Sequence, residues 1–245
     1  MDAYTAWNLF ITGFTDTGYA RRVGRCYRAG PLDAVRFAGD EDRPRAPFEE
    51  FFVWKCAPAE ALAAIAAAQP LPEHYVTVFA DRPGLPEVYA QAGYRLSHSE
   101  ALMVRDLANP MLAPLHLPVT AIRSIAEANR ANASDPQGIV WIVPDNLADP
   151  RMRHYVIMQE QRVVSRGRNF MIDADHSYVS RVFTADAQRG QGLAQAIMHR
   201  ILAEDQARNA RWSILTASVM GERMYERLGY VALGSIHIFE PALGS

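Results

Sequence analysis

The chain has 245 residues, of which 49% are hydrophobic and 21% are charged, so it can bury one large or two small globular cores. The formal net charge is −2 without a basic block, which argues against nucleic acid or an anionic membrane as a partner. The two cysteines form no ligand pattern, and no basic leader or apolar run of about 18 residues is found. We therefore expect a cytoplasmic protein with two free thiols, no metal site and no membrane span.

The first half of the chain reads as alternating strands and helices. Residues 1–38 show no clear period, although residues 9–11 are a candidate strand, and residues 39–47 form a polar loop. The elements predicted next are a buried strand at 51–56, an alanine-rich helix at 58–68, a strand at 75–80, a short helix at 86–91 and a strand at 94–104.

Three prolines in nine residues predict a linker at 111–118, which divides the chain into residues 1–110 and 119–245. The second half contains the longest periodic segments. The elements predicted there are a strand at 119–123, a helix at 124–132 with Ser124 as its N-cap, a turn at 135–138, a hairpin of 153–158 with 162–166, a turn at 173–176, a strand at 178–184, a helix at 194–203, a strand at 213–218, a helix at 221–228 and a strand at 230–239.

Residues 177–198 combine a strand, a glycine loop and a helix. The first turn of a helix carries backbone N–H groups without internal acceptors, at the positive end of the helix dipole. Gly190 and Gly192 allow the backbone to approach a ligand closely, and Arg189 adds a cation. Such a turn suits a phosphate or a pyrophosphate.

Two common phosphate motifs fit this loop poorly. A P-loop needs Lys followed by Ser or Thr, which the loop lacks, and Gln195 stands where a dinucleotide fingerprint needs its third glycine. A nucleotide-binding α/β protein nevertheless stays open as an alternative.

The loop resembles the acyl-CoA loop of the GNAT superfamily of N-acetyltransferases, [Q/R]-x-x-G-x-[G/A], with Arg189, Gly192 and Ala194 at its three fixed positions. Residues 217–230 are similar to the second conserved block of that family, and the predicted hairpin precedes both in the expected order. Ser218 stands where this block often has Asn, which puts its contact with the pantetheine arm in question. The second half thus resembles a whole GNAT domain.

A gapless repeat links the two halves. Residues 89–94 (YAQAGY) match residues 225–230 (YERLGY) at an offset of 136 positions. The first half therefore resembles a degenerate GNAT domain, because residues 56–60 join strand to helix without a glycine loop. The predicted fold class is α/β, with tandem GNAT-like domains, a central mostly antiparallel sheet flanked by helices, and CoA held by the second domain alone.

The resemblance implies a GNAT-family N-acetyltransferase that moves an acetyl or similar acyl group from acetyl-CoA (coenzyme A) to an amine of a small molecule or peptide by direct attack in a ternary complex. Tyr225 would be the general acid, because a phenol with a pKa of about 10 stays protonated at neutral pH and can protonate the thiolate. The residues implied to hold the cofactor are Val182, Phe183, Thr184, Arg189, Gly190, Gln191, Gly192, Leu193, Ala194 and Ser218. The alternative is a non-catalytic acyl-CoA-binding regulatory module of the same fold.

The general base stays open among Glu160, Asp173, Asp175, His176 and His237. The acceptor is expected in a cleft between the two halves, since pockets favour domain interfaces. A homodimer is also open.

Overall fold

The structure, a computed structural model, describes residues 1–17, 24–38, 46–109, 117–134, 142 and 144–242. The predicted polar loop at 39–47, the linker at 111–118 and the turn at 135–138 lie wholly or largely outside these residues. The domain boundary therefore stays a prediction.

The described residues form a mixed set of strands and helices. The strands are β1 (Gly24–Ala29), β2 (Leu32–Phe37), β3 (Phe48–Val53), β4 (His74–Ala80), β5 (Tyr94–Asp106), β6 (Thr120–Ile122), β7 (Met152–Gln159), β8 (Arg162–Met171), β9 (His176–Thr184), β10 (Trp212–Ser218) and β11 (Val231–Pro241). The helices are α1 (Ala3–Thr17), α2 (Pro58–Ala67), α3 (Leu85–Gln91), α4 (Ile125–Ser134), α5 (Pro144–Ala148), α6 (Leu193–Ala207) and α7 (Val219–Arg227), with a 3-10 turn at Asp186–Gln188.

The amino-terminal prediction was wrong, because residues 9–11 lie inside helix α1. Trp7, Phe10 and Phe14 share one face at helical spacing and pack on the sheet, and the Asp2 carboxylate accepts the Thr5 N–H at 3.0 Å. Strands β1 and β2 were missed, since β1 lacks an apolar run and β2 has its apolar residues interrupted by Asp33 and Arg36. From β3 onward, the predicted elements of the described chain are found within a few residues of their expected ends.

All eleven strands belong to one sheet, in the order β1-β2-β3-β4-β11-β5-β10-β9-β8-β7-β6. The pairs β3–β4 and β9–β10 are parallel, and the other neighbouring pairs are antiparallel. This mixed sheet, flanked by helices, confirms the predicted α/β fold class.

The two halves exchange their last strands at the centre of the sheet. Strand β5 lies between β10 and β11, while β11 lies between β4 and β5. Arg95 pairs with Glu240, and Val104 pairs with Val231. The repeat offset of 136 positions relates Arg95 to Val231 and Val104 to Glu240, so it exchanges the two pairs. The sequence repeat therefore corresponds to an internal pseudo-twofold axis between β5 and β11.

Helices cover both faces of the sheet. Helix α1 packs its aromatic face on the central strands, against residues such as Leu102 and Ile214. The opposite face carries α2 and α3 over the first half and α6 and α7 over the second half. The buried carboxylate of Asp205 fixes α6 to β8 and β9, because it accepts hydrogen bonds from Ser177 Oγ at 2.6 Å and from the Asn169 amide.

Candidate active site

A cleft opens where the parallel strands β9 and β10 separate. The two strands pair from His176–Trp212 to Tyr178–Ile214, and the described residues beyond those positions form no further pairs between them. The cleft has a volume of about 970 Å³ and extends from the glycine loop to strand β3 of the first half. Beyond Tyr178, the edge of β9 that faces β10 therefore has no strand partner among the described residues.

A bulge bends β9 along the cleft. Arg166 pairs with Phe183 but Arg168 pairs with Ser180, so β9 carries an extra residue at this point. Arg181 adopts a φ of +59° there, in the left-handed region that a non-glycine residue rarely occupies. Such a bulge bends the strand locally and increases its twist.

The glycine loop leads directly into α6. Gly192 is the N-cap residue, with a φ of 76° that a side chain would strain, and Leu193 begins the helix. The N–H groups of Leu193, Ala194 and Gln195 belong to the first turn and have no acceptor within the helix. These three residues line the cleft, so the amide-rich, positive end of α6 borders it.

Arg189 supplies a cation at the mouth of the cleft. Its guanidinium pairs with Asp186 at 2.6 Å and lies 3.8 Å from the Met220 sulfur at the start of α7. The side chain keeps 44% of its surface exposed, which leaves it room to contact an anion. Arg189 thus spans from the loop to the opposite wall.

Strand β10 and helix α7 form the wall of the cleft opposite the glycine loop. The Ser218 hydroxyl accepts the Gly221 N–H at 3.3 Å as the N-cap of α7. The Tyr225 side chain is 7% exposed, and its ring contacts Tyr230 edge-on at 5.7 Å. Burial raises the pKa of the Tyr225 phenol, and the nearby Glu100 carboxylate adds to the rise. The phenol therefore stays protonated at neutral pH.

The structure gathers nearly all the predicted site residues along this one cleft. Gln191 is the exception, since its side chain is exposed and bonds Gln188 at 2.8 Å. The predicted residues that line the cleft are Val182, Phe183, Thr184, Arg189, Gly190, Gly192, Leu193, Ala194, Ser218 and Tyr225.

None of the five residues considered as the general base lines the cleft. Asp173, in the turn before β9, bonds His176, the first residue of β9, at 2.8 Å, and Asp175 lies in the same turn. This end of β9 is remote from the glycine loop. Nine residues of strand separate that turn from the loop, or roughly 25 Å. Glu160 lies in the β7–β8 turn, and His237 bonds Ser99 Oγ at 2.9 Å.

The cleft also contains acidic residues that sequence reasoning missed. Glu50 on β3 and Glu100 on β5 line it, together with Phe10 and Phe14 of α1. The signal was a pair of carboxylates, Glu49 and Glu50, within an otherwise apolar strand, FEEFFV. Its position in the cleft depends on the pairing of β4 with β11, which no local pattern encodes.

Glu50 has an unusual electrostatic environment. It is 7% exposed, and Thr77 Oγ1 donates to Oε1. Burial raises the pKa of Glu50 to about 7, against the lowering effect of Thr77, and the Glu100 carboxylate raises it further. A carboxyl group with this pKa is half ionised near neutral pH and responds strongly to any cation brought beside it.

The described residues contain no cluster of three or more His, Cys, Asp or Glu side chains that could hold a metal ion. Within the same part of the chain, no helix has both the length and the apolar character needed to span a membrane.

Comparison with known proteins agrees with this geometry. Residues 143–240 match the sequence profile of the acetyltransferase (GNAT) domain. No curated protein sequence matches the chain. A GCN5-related N-acetyltransferase from Kribbella flavida is similar in structure, with a TM-score of 0.66 and 22% identity over 100% of this chain and 97% of that chain. A second, from Sphaerobacter thermophilus, has a TM-score of 0.56 and 16% identity over 87% of this chain and 78% of that chain. A tandem GNAT protein from the clavulanic acid biosynthesis pathway has a TM-score of 0.50 and 12% identity over 87% of this chain and 84% of that chain.

Because the sequence identities are 22% or lower, these structures establish the fold alone. The match to the domain profile establishes the family of residues 143–240. The splayed strands, the glycine loop and the buried tyrosine all lie within that segment. The chain therefore has the GNAT fold, and its residues 143–240 belong to the acetyltransferase (GNAT) domain family.

Proposed function

We propose that the protein transfers an acetyl or similar acyl group from acyl-CoA to an amine. The observation that carries the proposal is the positive first turn of α6, which opens into the cleft between β9 and β10. In this proposal, the amides of Gly190 to Ala194 and the Arg189 guanidinium hold the pyrophosphate. The arm of CoA then follows the edge of β9 at Val182 to Thr184 that faces β10 and does not pair with it.

Tyr225 would protonate the departing thiolate. The cleft-lining phenol is buried, and its raised pKa keeps the proton on the oxygen until a strong base forms beside it. As the attacking amine forms its bond to the acyl carbon, the carbon–sulfur bond breaks and the sulfur takes the Tyr225 proton. The proton lost by the amine then restores the phenol, directly or through solvent.

We further propose that the first half holds no CoA. Its corresponding parallel strands, β3 and β4, stay paired over five positions from Glu49–His74 to Val53–Val78, so no gap opens between them. The following helix α2 begins at Pro58, which lacks an N–H to donate. Neither the strand separation nor the amide-rich turn is repeated there.

Calorimetric titration with acetyl-CoA, NAD and ATP tests the proposal. We expect binding of acetyl-CoA alone, and NAD binding without acetyl-CoA binding would favour a nucleotide-binding protein instead.

The variant Tyr225→Phe then separates an enzyme from a binding module. A large loss of turnover with retained acetyl-CoA affinity supports catalysis, whereas the absence of turnover with any amine would favour a regulatory module.

A further inference from the structure

The cleft continues past the proposed CoA site into a region built largely by the first half. Strand β3 contributes Glu50, β4 contributes Tyr75 and Thr77, and α1 contributes Phe10 and Phe14. The exchanged strands bring these residues to the β9–β10 gap, because β11 joins β4 to β5 and β5 joins β10. This end therefore exists only in the intact chain.

We propose that this region is a subsite for a primary ammonium group, held by Glu50 and Glu100. The proposal rests on the proposed function, since the ammonium would belong to the acyl acceptor. It names the acceptor as a cationic amine and assigns its recognition to the first half of the chain.

The arrangement of charge around Glu50 supports a cationic occupant. The neighbouring Glu49 points to the other face of β3, where Tyr27 donates at 2.8 Å, Arg36 at 2.5 Å and the Leu71 N–H at 2.8 Å. Burial opposes ionisation there, but these three bonds together lower the pKa of Glu49. Among the described residues, Glu50 has no comparable set of hydrogen-bond donors, because its described hydrogen bond comes from the neutral Thr77 hydroxyl.

The charged group that acts on Glu50 is a second carboxylate, Glu100. Two buried or half-buried carboxylates without a shared cation repel each other, and a bound ammonium would relieve that repulsion. The other titratable side chains that line the cleft from the strands between β3 and β10 are Tyr75, His98 and Glu240. Arginines line it from β8, β9, the glycine loop and α7, and none of them is among the groups that act on Glu50: Arg168, Arg181, Arg189 and Arg227. Glu240 pairs with Arg95 at 2.5 Å and His98 lies 3.8 Å from Glu100, whereas α1 contributes neutral side chains to the lining.

Glu100 also connects this region to the transfer site. It pairs with Ser218 at the start of α7, and its charge acts on Tyr225 as well as on Glu50. An ammonium held between Glu50 and Glu100 thus lies within the electrostatic reach of the residue proposed to protonate the thiolate. The bound ammonium nitrogen has no lone pair, so it has to lose a proton, to a neighbouring carboxylate or to solvent, before it can attack the thioester carbonyl.

Two CoA conjugates test the subsite without knowledge of the natural acceptor. S-(2-aminoethyl)-CoA carries an ammonium two carbons from the sulfur, and S-(2-hydroxyethyl)-CoA is its neutral counterpart. Calorimetry at about pH 8 should give about tenfold tighter binding of the ammonium conjugate to the wild-type protein, or about 1.4 kcal/mol. Glu50→Gln and Glu100→Gln should each lose most of this preference while keeping the affinity for the hydroxyl conjugate.

Glu240→Gln is the matched control, because it removes a cleft-lining carboxylate that already has a cation partner, and it should keep the preference. Near pH 7, binding of the ammonium conjugate should lower the pKa of Glu50 and so release protons from wild-type protein, with fewer released from Glu50→Gln. Calorimetry in buffers of different ionisation enthalpy measures the number of protons released. Equal binding of the two conjugates to wild-type protein, or an unchanged preference in Glu50→Gln, would overturn the subsite alone. Failure of both conjugates and of acetyl-CoA to bind would instead remove the proposed function and the subsite with it.

Discussion

Replacing Glu50 by Gln should stabilise the unliganded protein, by an amount that grows with pH. Glu50 has an ordinary pKa of 4.5 in the unfolded chain and a pKa raised to about 7 in the fold. Between these values the folded state binds more protons than the unfolded state, so the free energy of unfolding falls as pH rises. Glutamine has no charge to bury and escapes this loss.

The size of the effect follows from the two pKa values. A difference of about 2.5 pKa units lowers the free energy of unfolding by about 3 kcal/mol once Glu50 is fully ionised. Part of this loss is already present at pH 5, because the unfolded-state carboxyl has begun to ionise there. The advantage of Glu50→Gln over wild type should therefore grow by about 2 to 3 kcal/mol between about pH 5 and pH 8.5. For a chain of this length, that is roughly 4 to 12 °C in Tm.

Urea unfolding of both proteins at a series of pH values, checked by thermal unfolding, measures this difference directly. Glu240→Gln provides the control, since its exposed pair with Arg95 is expected to contribute under about 1 kcal/mol. A stability difference between wild type and Glu50→Gln that stays constant across the pH range would show that Glu50 is not a buried carboxyl lacking a cation, and would refute the reasoning.

Four further outcomes are expected. Tyr225→Phe should lower amine-dependent release of CoA thiol by about 10²-fold or more while acetyl-CoA affinity stays within about twofold. Gly192→Val should weaken acetyl-CoA binding at least about tenfold by calorimetry, because its φ of 76° strains any side chain and the residue lines the cleft at the start of α6. Arg189→Gln should weaken acetyl-CoA binding several-fold at low salt, and the effect should shrink at high salt as screening increases. Residues 117–245 expressed alone should lack cooperative unfolding by circular dichroism, because β10 and β11 lose β5 from between them.

Each of these outcomes has a comparison that could contradict it. Gly93→Val is the control for Gly192→Val, because Gly93 has a φ of 85° but does not line the cleft, so its replacement should spare acetyl-CoA affinity. Unchanged turnover in Tyr225→Phe would remove the acid role, and a salt-independent loss in Arg189→Gln would argue against a phosphate contact. A sharp unfolding transition in residues 117–245 would show that the exchanged strand is dispensable.

The sequence alone was sufficient for the segment whose structure depends on neighbours in the chain. Gly190, Gly192 and the periodic run after them predict a strand–loop–helix with exposed amides, and the structure has this arrangement. The repeat around Tyr89 and Tyr225 predicted that both halves share one fold, and the symmetric pairing of β5 with β11 agrees with that prediction. These signals are local, since they arise from glycine conformation, helix termini and apolar periodicity.

Helix α1 shows where local reasoning failed. Residues 9–11 look like a strand when these three consecutive apolar residues are read in isolation. The packing of Trp7, Phe10 and Phe14 on the central strands identifies the buried face of the helix. Strand β1, in which Ala29 alone is buried, is held by its pairing with β2, and β2 pairs in turn with β3. In both places, tertiary contacts override local propensity.

The acidic end of the cleft was decided by tertiary structure alone. Glu50 and Glu100 are 50 residues apart and belong to strands separated in the sheet by β4 and β11. They act on each other because the carboxy-terminal strand of the chain inserts into the first half, a long-range pairing without a local sequence signature. The raised pKa of Glu50 has the same origin, since burial depends on what the rest of the chain places around a side chain and not on the residues beside it.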